Sequence, residues 1–249
     1  EADHGAASGN GSDPLAALLQ WLDPRIPNQV AIEQGQRAIA GLPLTEVPAT
    51  KAGEPTLAVM LSGDGGWAAL DRAVAAELAA QGIATVGWDS LGYYWKARSP
   101  EEAARDLARL LRHYLHDWGK RQVVLIGYSF GADVLPFLVN RLPPDLRAAV
   151  VQIVFLGLGP TASFEFHLTD WLSSSASGDS QPVLPEVRRL ADLPRLCVYG
   201  DRERGSLCPE LGADGVVVRE LPGDHHFGGD YSRLAGLVTF SCLSDCTPL

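Results

Sequence analysis

No stretch of the 249 residues approaches the ~20 consecutive apolar residues that a membrane-spanning helix needs. The most apolar run, Ala148 to Leu158, is shorter and sits where a buried strand belongs. Positive charge is also scarce. Twenty Lys and Arg stand against thirty Asp and Glu, a formal net charge of −10. That deficit argues against broad contact with nucleic-acid phosphates and against simple electrostatic docking on anionic lipid. It favours a neutral or cationic substrate group instead. Tight CxxC pairs, the common frame of a zinc site, are missing. Internal repeats are missing too. No signal peptide is visible at the start, where Glu1 to Asp13 reads as a flexible linker or tail.

What remains is an ordinary globular balance, 46% hydrophobic and 20% charged, enough to bury a core without metal. One domain is expected over residues 14–249. Asp13 and Pro14 open a short amphipathic helix through Leu22, and an edge strand is expected around Leu44 to Pro48. From Thr56 onward, short apolar runs alternate with helical stretches. Strands are expected at Thr56–Ser62, Ile83–Trp88, Gln122–Gly127, Ala148–Leu156, Leu196–Gly200 and Val216–Leu221. Helices are expected at Ala68–Gln81, from Ser99–Pro100 to about Trp118, at Phe130–Arg141 and from about Asp230. Alternation of this kind means a mostly parallel sheet with helices on both faces. The Ser-rich stretch 159–185 reads as an insertion or lid. Ligands of such sheets bind beyond the carboxyl ends of the strands.

At one of those ends stands Gly127-Tyr128-Ser129-Phe130-Gly131, a G-x-S-x-G pattern between an apolar strand and a helix. In the α/β-hydrolase fold this is the nucleophile elbow, a turn so sharp that its neighbours must be glycine. Ser129 is therefore the candidate nucleophile. A serine needs a base, and the chain order of this fold is Ser, acid, His. His225 and His226, in PGDHHFGG after the last strand, are the candidates, with His225 preferred. The acid belongs after the preceding strand, where Glu203 is preferred and Asp201 is the alternative. Either carboxylate would hold the imidazole in its working tautomer.

An oxyanion hole needs two N–H donors, and losing one commonly costs about 3–4 kcal/mol of barrier. Phe130 supplies one and Asp64, in the loop Ser62-Gly63-Asp64-Gly65-Gly66-Trp67, the other. No Lys-Ser/Thr pair follows that loop, which excludes a nucleotide P-loop. Asp64, Gly65, Trp67 and Tyr128 are the candidate substrate contacts, and the Asp64 carboxylate suits a cationic group such as an ammonium. Trp88, Tyr93, Tyr94 and Trp95 either line an acyl pocket or pack in the core. His113 and His116 share a helix face that reads as solvated. Four cysteines, Cys197, Cys208, Cys242 and Cys246, permit two bridges in three possible connectivities; one between Cys242 and Cys246 would staple the last helix, and one between Cys197 and Cys208 would rigidify the acid loop. Disulfides point to an oxidising compartment.

The stretches LSGDGGW, WDSLGYYW, IGYSFGADVLPF, CVYG and LPGDHHFGGDY together resemble the AcvB/VirJ family of bacterial virulence-associated proteins. The resemblance spans about residues 56–240. It implies an α/β-hydrolase exported to the periplasm that releases the amino acid from aminoacyl-phosphatidylglycerol, alanyl- or lysyl-, with no cofactor. The competing readings are a general carboxylesterase or thioesterase, and a non-catalytic secretion-assembly factor on a hydrolase scaffold.

Overall fold

The computed structural model describes residues 39–51, 54–165 and 180–244, with side chains to residue 238. The compact unit starts at Gly41. The expected linker 1–13, the domain start at residue 14, the Pro14–Leu22 helix and the Cys242–Cys246 bridge lie outside the described residues.

A seven-stranded sheet carries the unit. Its strands are β1 (Leu44–Val47), β2 (Thr56–Leu61), β3 (Ala84–Trp88), β4 (Gln122–Tyr128), β5 (Val150–Leu156), β6 (Arg195–Gly200) and β7 (Val217–Leu221). The spatial order is β1-β3-β2-β4-β5-β6-β7. Only β1 runs antiparallel, pairing Leu44 with Trp88 along the edge. All other neighbours are parallel. The central strands are buried on both faces, which is why β2 and β3 read as unbroken runs without alternation.

The longer helices are α1 (Ala69–Ala80), α2 (Pro100–Asp117), α3 (Phe130–Val139) and α4 (Tyr231–Ser244). Ser99 caps α2 by accepting the Glu102 N–H, while the Glu102 carboxylate accepts the Ser99 N–H. Pro100 fills the first helical position, so this start is written in the sequence. Helices α1 and α4 pack together. The segment after β5 closes its base with a short ribbon, Thr161–Ala162 against Gln181–Pro182. The expected lid is thus clasped at its root, and its middle, 166–179, lies outside the described residues.

Trp88, Tyr93 and Tyr94 are buried. Their rings pack together, with Tyr94 edge to face on Phe164 and tilted against Phe130. They are core residues. His113 and His116 both reach Asp117, and no metal-binding cluster occurs among the described residues.

Candidate active site

Strand β4 delivers Ser129 to a turn that only glycine neighbours allow. A Cβ on Gly127 would stand 2.5 Å from the Gly131 carbonyl oxygen, and one on Gly131 would stand 2.4 Å from that of Leu61. The close approach packs α3 against the strands and throws Ser129 into a backbone conformation that side chains rarely adopt, φ 53° and ψ −122°. Such a residue costs on the order of 1–3 kcal/mol and persists only where its surroundings hold it. The hydroxyl is left pointing above the sheet.

Two loops meet it there. Ser129 Oγ lies 2.7 Å from His225 Nε2, and His225 Nδ1 lies 2.6 Å from Glu203 Oε1. The hydrogen bond that Glu203 accepts raises the His225 pKa above its ordinary value, while burial works in the opposite direction. The other Glu203 oxygen accepts the Gly200 N–H. Gly157, at the end of β5, gives the pair its room: a Cβ there would stand 2.6 Å from His225 Cε1.

The alternatives left open by sequence fall elsewhere. Asp201 Oδ1 accepts the Gly223 N–H at 2.8 Å, so this carboxylate ties the ends of β6 and β7 together and does not face His225. His226 Nδ1 lies 3.0 Å from Tyr128 Oη. Tyr128 itself stacks on the His225 ring, with centroids 5.4 Å apart, and so steadies both histidines. Trp67 departs from expectation. Its ring packs over β3, where a Cβ on Gly87 would meet it at 2.4 Å, and it lines neither of the two cavities beside Ser129.

The Gly63–Trp67 loop turns sharply, with the Gly66 N–H donating to the Gly63 carbonyl. A Cβ on Gly63 would stand 3.3 Å from Ser129 Cβ, so this loop borders the serine directly. Phe130 opens α3, where N–H groups are not consumed by the helical ladder. The Asp64 side chain is exposed.

Two cavities flank Ser129. One, of about 460 Å³, is walled by Asp64, Gly65, Tyr128, His226 and Tyr231. The other, of about 400 Å³, is walled by Asp133, Gly157, Gly159, Glu203 and His225, with Arg202 and Arg204 beside them. Asp133 is a residue that sequence reading passes over. Its one signal is a lone acid, four residues after the serine, in an otherwise apolar helix. Cys197 and Cys208 form a disulfide whose loop contains Glu203.

A family described as bacterial virulence protein (VirJ) matches residues 55–243. No curated protein sequence matches the chain. Among solved structures, the chain is similar to an α/β serine hydrolase without lid from Xanthomonas campestris. Identity is 15%, covering 82% of this chain and 90% of that one, with a TM-score of 0.55. It is similar to an esterase domain from Rhodothermus marinus at 14% identity, 81% and 92% coverage and a TM-score of 0.55. An α/β serine hydrolase homologue from Coxiella burnetii is 17% identical, with 79% and 89% coverage and a TM-score of 0.53. At these identities the likeness speaks for the fold, which is that of the α/β hydrolases.

Proposed function

Because this chain belongs to the VirJ family of bacterial virulence proteins and has the α/β-hydrolase fold, we propose that it is a periplasmic serine hydrolase that cleaves the aminoacyl ester of aminoacyl-phosphatidylglycerol. The observation that carries the reading is the unbroken hydrogen-bond chain from Ser129 Oγ through His225 to Glu203. A scaffold that only binds has no need of a serine so aligned.

His225 Nε2 takes the hydroxyl proton as Ser129 Oγ attacks the ester carbonyl carbon. The Phe130 and Asp64 N–H groups receive the negative charge that builds on the carbonyl oxygen. The bond from carbonyl carbon to glycerol oxygen then breaks, and the Nε2 proton passes to that oxygen, releasing phosphatidylglycerol. Water next gives a proton to Nε2 and attacks the acyl-serine. Ser129 recovers its proton and the amino acid leaves. Glu203 stays ionised throughout and holds the Nδ1 proton. Every step uses side chains and backbone of this chain, with no cofactor.

Support for the lipid comes from the family membership and from charge. Arg202 and Arg204 border the serine cavity, where a phosphodiester would find cations, and the acidic cavity walls suit an ammonium. The Cys197–Cys208 bridge supports an oxidising compartment. The test is hydrolysis of alanyl- and lysyl-phosphatidylglycerol beside simple esters, with wild type and Ser129→Ala. Wild type should release the free amino acid and the variant should not. Turnover of simple esters alone would make this a general carboxylesterase or thioesterase. Failure of a fluorophosphonate probe to label folded wild type at Ser129 would favour a secretion-assembly factor.

A further inference from the structure

Asp133 has no part in the relay, yet it faces the same cavity as Ser129. It lies one helical turn beyond the serine, and its N–H donates to the Ser129 carbonyl at 3.0 Å. Side chains on a helix lean toward the N-terminus, so this carboxylate lies over the turn that carries the nucleophile. Its Oδ1 accepts the Gly159 N–H at 2.6 Å. Gly159 is glycine for a visible reason: a Cβ there would stand 3.2 Å from both carboxylate oxygens. The strip Gly157-Leu158-Gly159 thus floors the cavity, with His225 against one end and Asp133 against the other.

The carboxylate is deep, though part of it stays open to the cavity. Burial pushes its pKa up to about 8. Among the described residues, no arginine or lysine pairs with it. An acid kept in such a place without a cation is costly, and a ligand that brings the cation would relieve that cost.

We propose that Asp133 binds the α-ammonium group of an aminoacyl ester whose carbonyl is held at Ser129. The inference rests on the reading of Ser129 as the nucleophile and narrows it to amino-acid esters. Reach supports it. The ammonium nitrogen of such an ester is two bonds from the carbonyl carbon, so its counter-ion must come from the immediate neighbourhood of the serine. Asp133 has that reach: its N–H bonds the Ser129 carbonyl, and the two residues wall the same cavity. Asp64, the acid that sequence points to for this task, is exposed in its loop, where water screens its charge. The α-ammonium is common to alanyl and lysyl esters, so the contact serves both and selects against acyl groups that lack it.

The experiment compares 1-alanylglycerol with 1-lactoylglycerol, which differ only in ammonium against hydroxyl, on wild type and Asp133→Asn. Asparagine keeps an acceptor for the Gly159 N–H and removes the charge. Wild type should prefer the alanyl ester in kcat/KM by about tenfold to a hundredfold, the range of a hydrogen bond to a charged group. Asp133→Asn should bring the ratio toward one, chiefly through loss on the alanyl ester. A variant that loses both esters equally, or keeps the wild-type ratio, overturns the proposal. If the variant does not fold, wild type decides alone, because parity between the two esters is incompatible with an ammonium site. Wild type that hydrolyses alanyl-phosphatidylglycerol while Asp133→Asn keeps its selectivity refutes this inference and leaves the lipid reading standing. Selectivity on the soluble esters without turnover of the lipid does the reverse.

Discussion

Glu203 meets His225 already oriented. One carboxylate oxygen lies 2.6 Å from His225 Nδ1, and the other accepts the Gly200 N–H at 3.1 Å. Two residues earlier, Asp201 spends its charge on the Gly223 N–H. The two acids of one short loop therefore do different jobs. Glu203→Gln should lower kcat on any ester by roughly 10²–10⁴, because an amide turned toward Nδ1 selects the wrong tautomer. Asp201→Ala should lower it less than about tenfold while reducing thermal stability, since it removes the acceptor of a β6–β7 tie. Steady-state kinetics beside melting curves separates them, and equal kinetic losses would refute the division.

The acid limb of the pH profile should report His225. The group must be neutral to accept the serine proton. Its pKa is raised by the Glu203 hydrogen bond, against the opposing effect of burial. Activity therefore falls as pH drops through a value above the ordinary 6.5. Glu203→Gln removes the raising partner and should move the limb to lower pH. The measurement needs an ester without an amine, so that the substrate does not titrate. A wild-type limb below 6.5, or one that Glu203→Gln leaves in place, would count against this account.

The tandem histidines should separate sharply. His225→Ala removes the base and should cost roughly 10³-fold or more in kcat. His226→Ala removes only a partner of Tyr128 Oη, and should cost less than about tenfold, as a hydrogen bond of modest net worth does. Comparable losses in the two variants would mean that the relay runs differently in solution.

Much of this architecture could be read from the chain because local pattern and tertiary role coincide. The buried strands read as apolar runs, and the antiparallel edge β1 lies where the weak signal at Leu44–Pro48 puts it. The elbow glycines were legible because their constraint is local. The choice between His225 and His226 was legible only as a preference for His225, because the two are adjacent in one loop. It is decided by long-range packing: a Cβ on Gly200 would stand 2.2 Å from the Asp224 carbonyl oxygen, so the end of β6 presses on the histidine loop. Trp67 misled for the same reason. Its partner Gly87 is on another strand, and no local pattern announces a ring lying on a distant glycine. Asp133 carries no local signal beyond being a lone acid in an apolar helix, and its approach to Gly159 comes from a loop 26 residues away.

The Cys197–Cys208 bridge closes a loop across 11 positions around Glu203. Chain entropy for a loop of that size gives about 3 kcal/mol. Replacing both cysteines with alanine should lower Tm by roughly 6–12 °C in a domain of this length. Reductant should produce a similar loss in wild type and none in the variant. Because the bridge braces the acid loop, kcat should fall as well. A melting temperature indifferent to reductant would mean that the bridge does not form or contributes nothing.

Asp133 makes a stability prediction with the opposite sign to that of an ordinary structural carboxylate. In the unfolded chain it titrates near 3.8, and burial raises it to about 8 in the fold. Between those values the folded state holds a proton that the unfolded state has released, so rising pH weakens the fold across that window. Below the window both states are protonated and nothing is lost, and above it the whole cost is present. Asp133→Asn has no proton to lose and keeps the acceptor for Gly159. Its Tm should match wild type near pH 4 and exceed it by a growing margin up to about pH 8. One pKa unit corresponds to about 1.36 kcal/mol, so a margin of several degrees is expected at the alkaline end. A carboxylate that merely pinned the Gly159 loop would have a lowered pKa, and its replacement would destabilise most at high pH. A variant that gains stability while losing preference for the ammonium ester has traded binding for a quieter interior, whereas a margin that stays constant with pH would remove the buried charge from the argument.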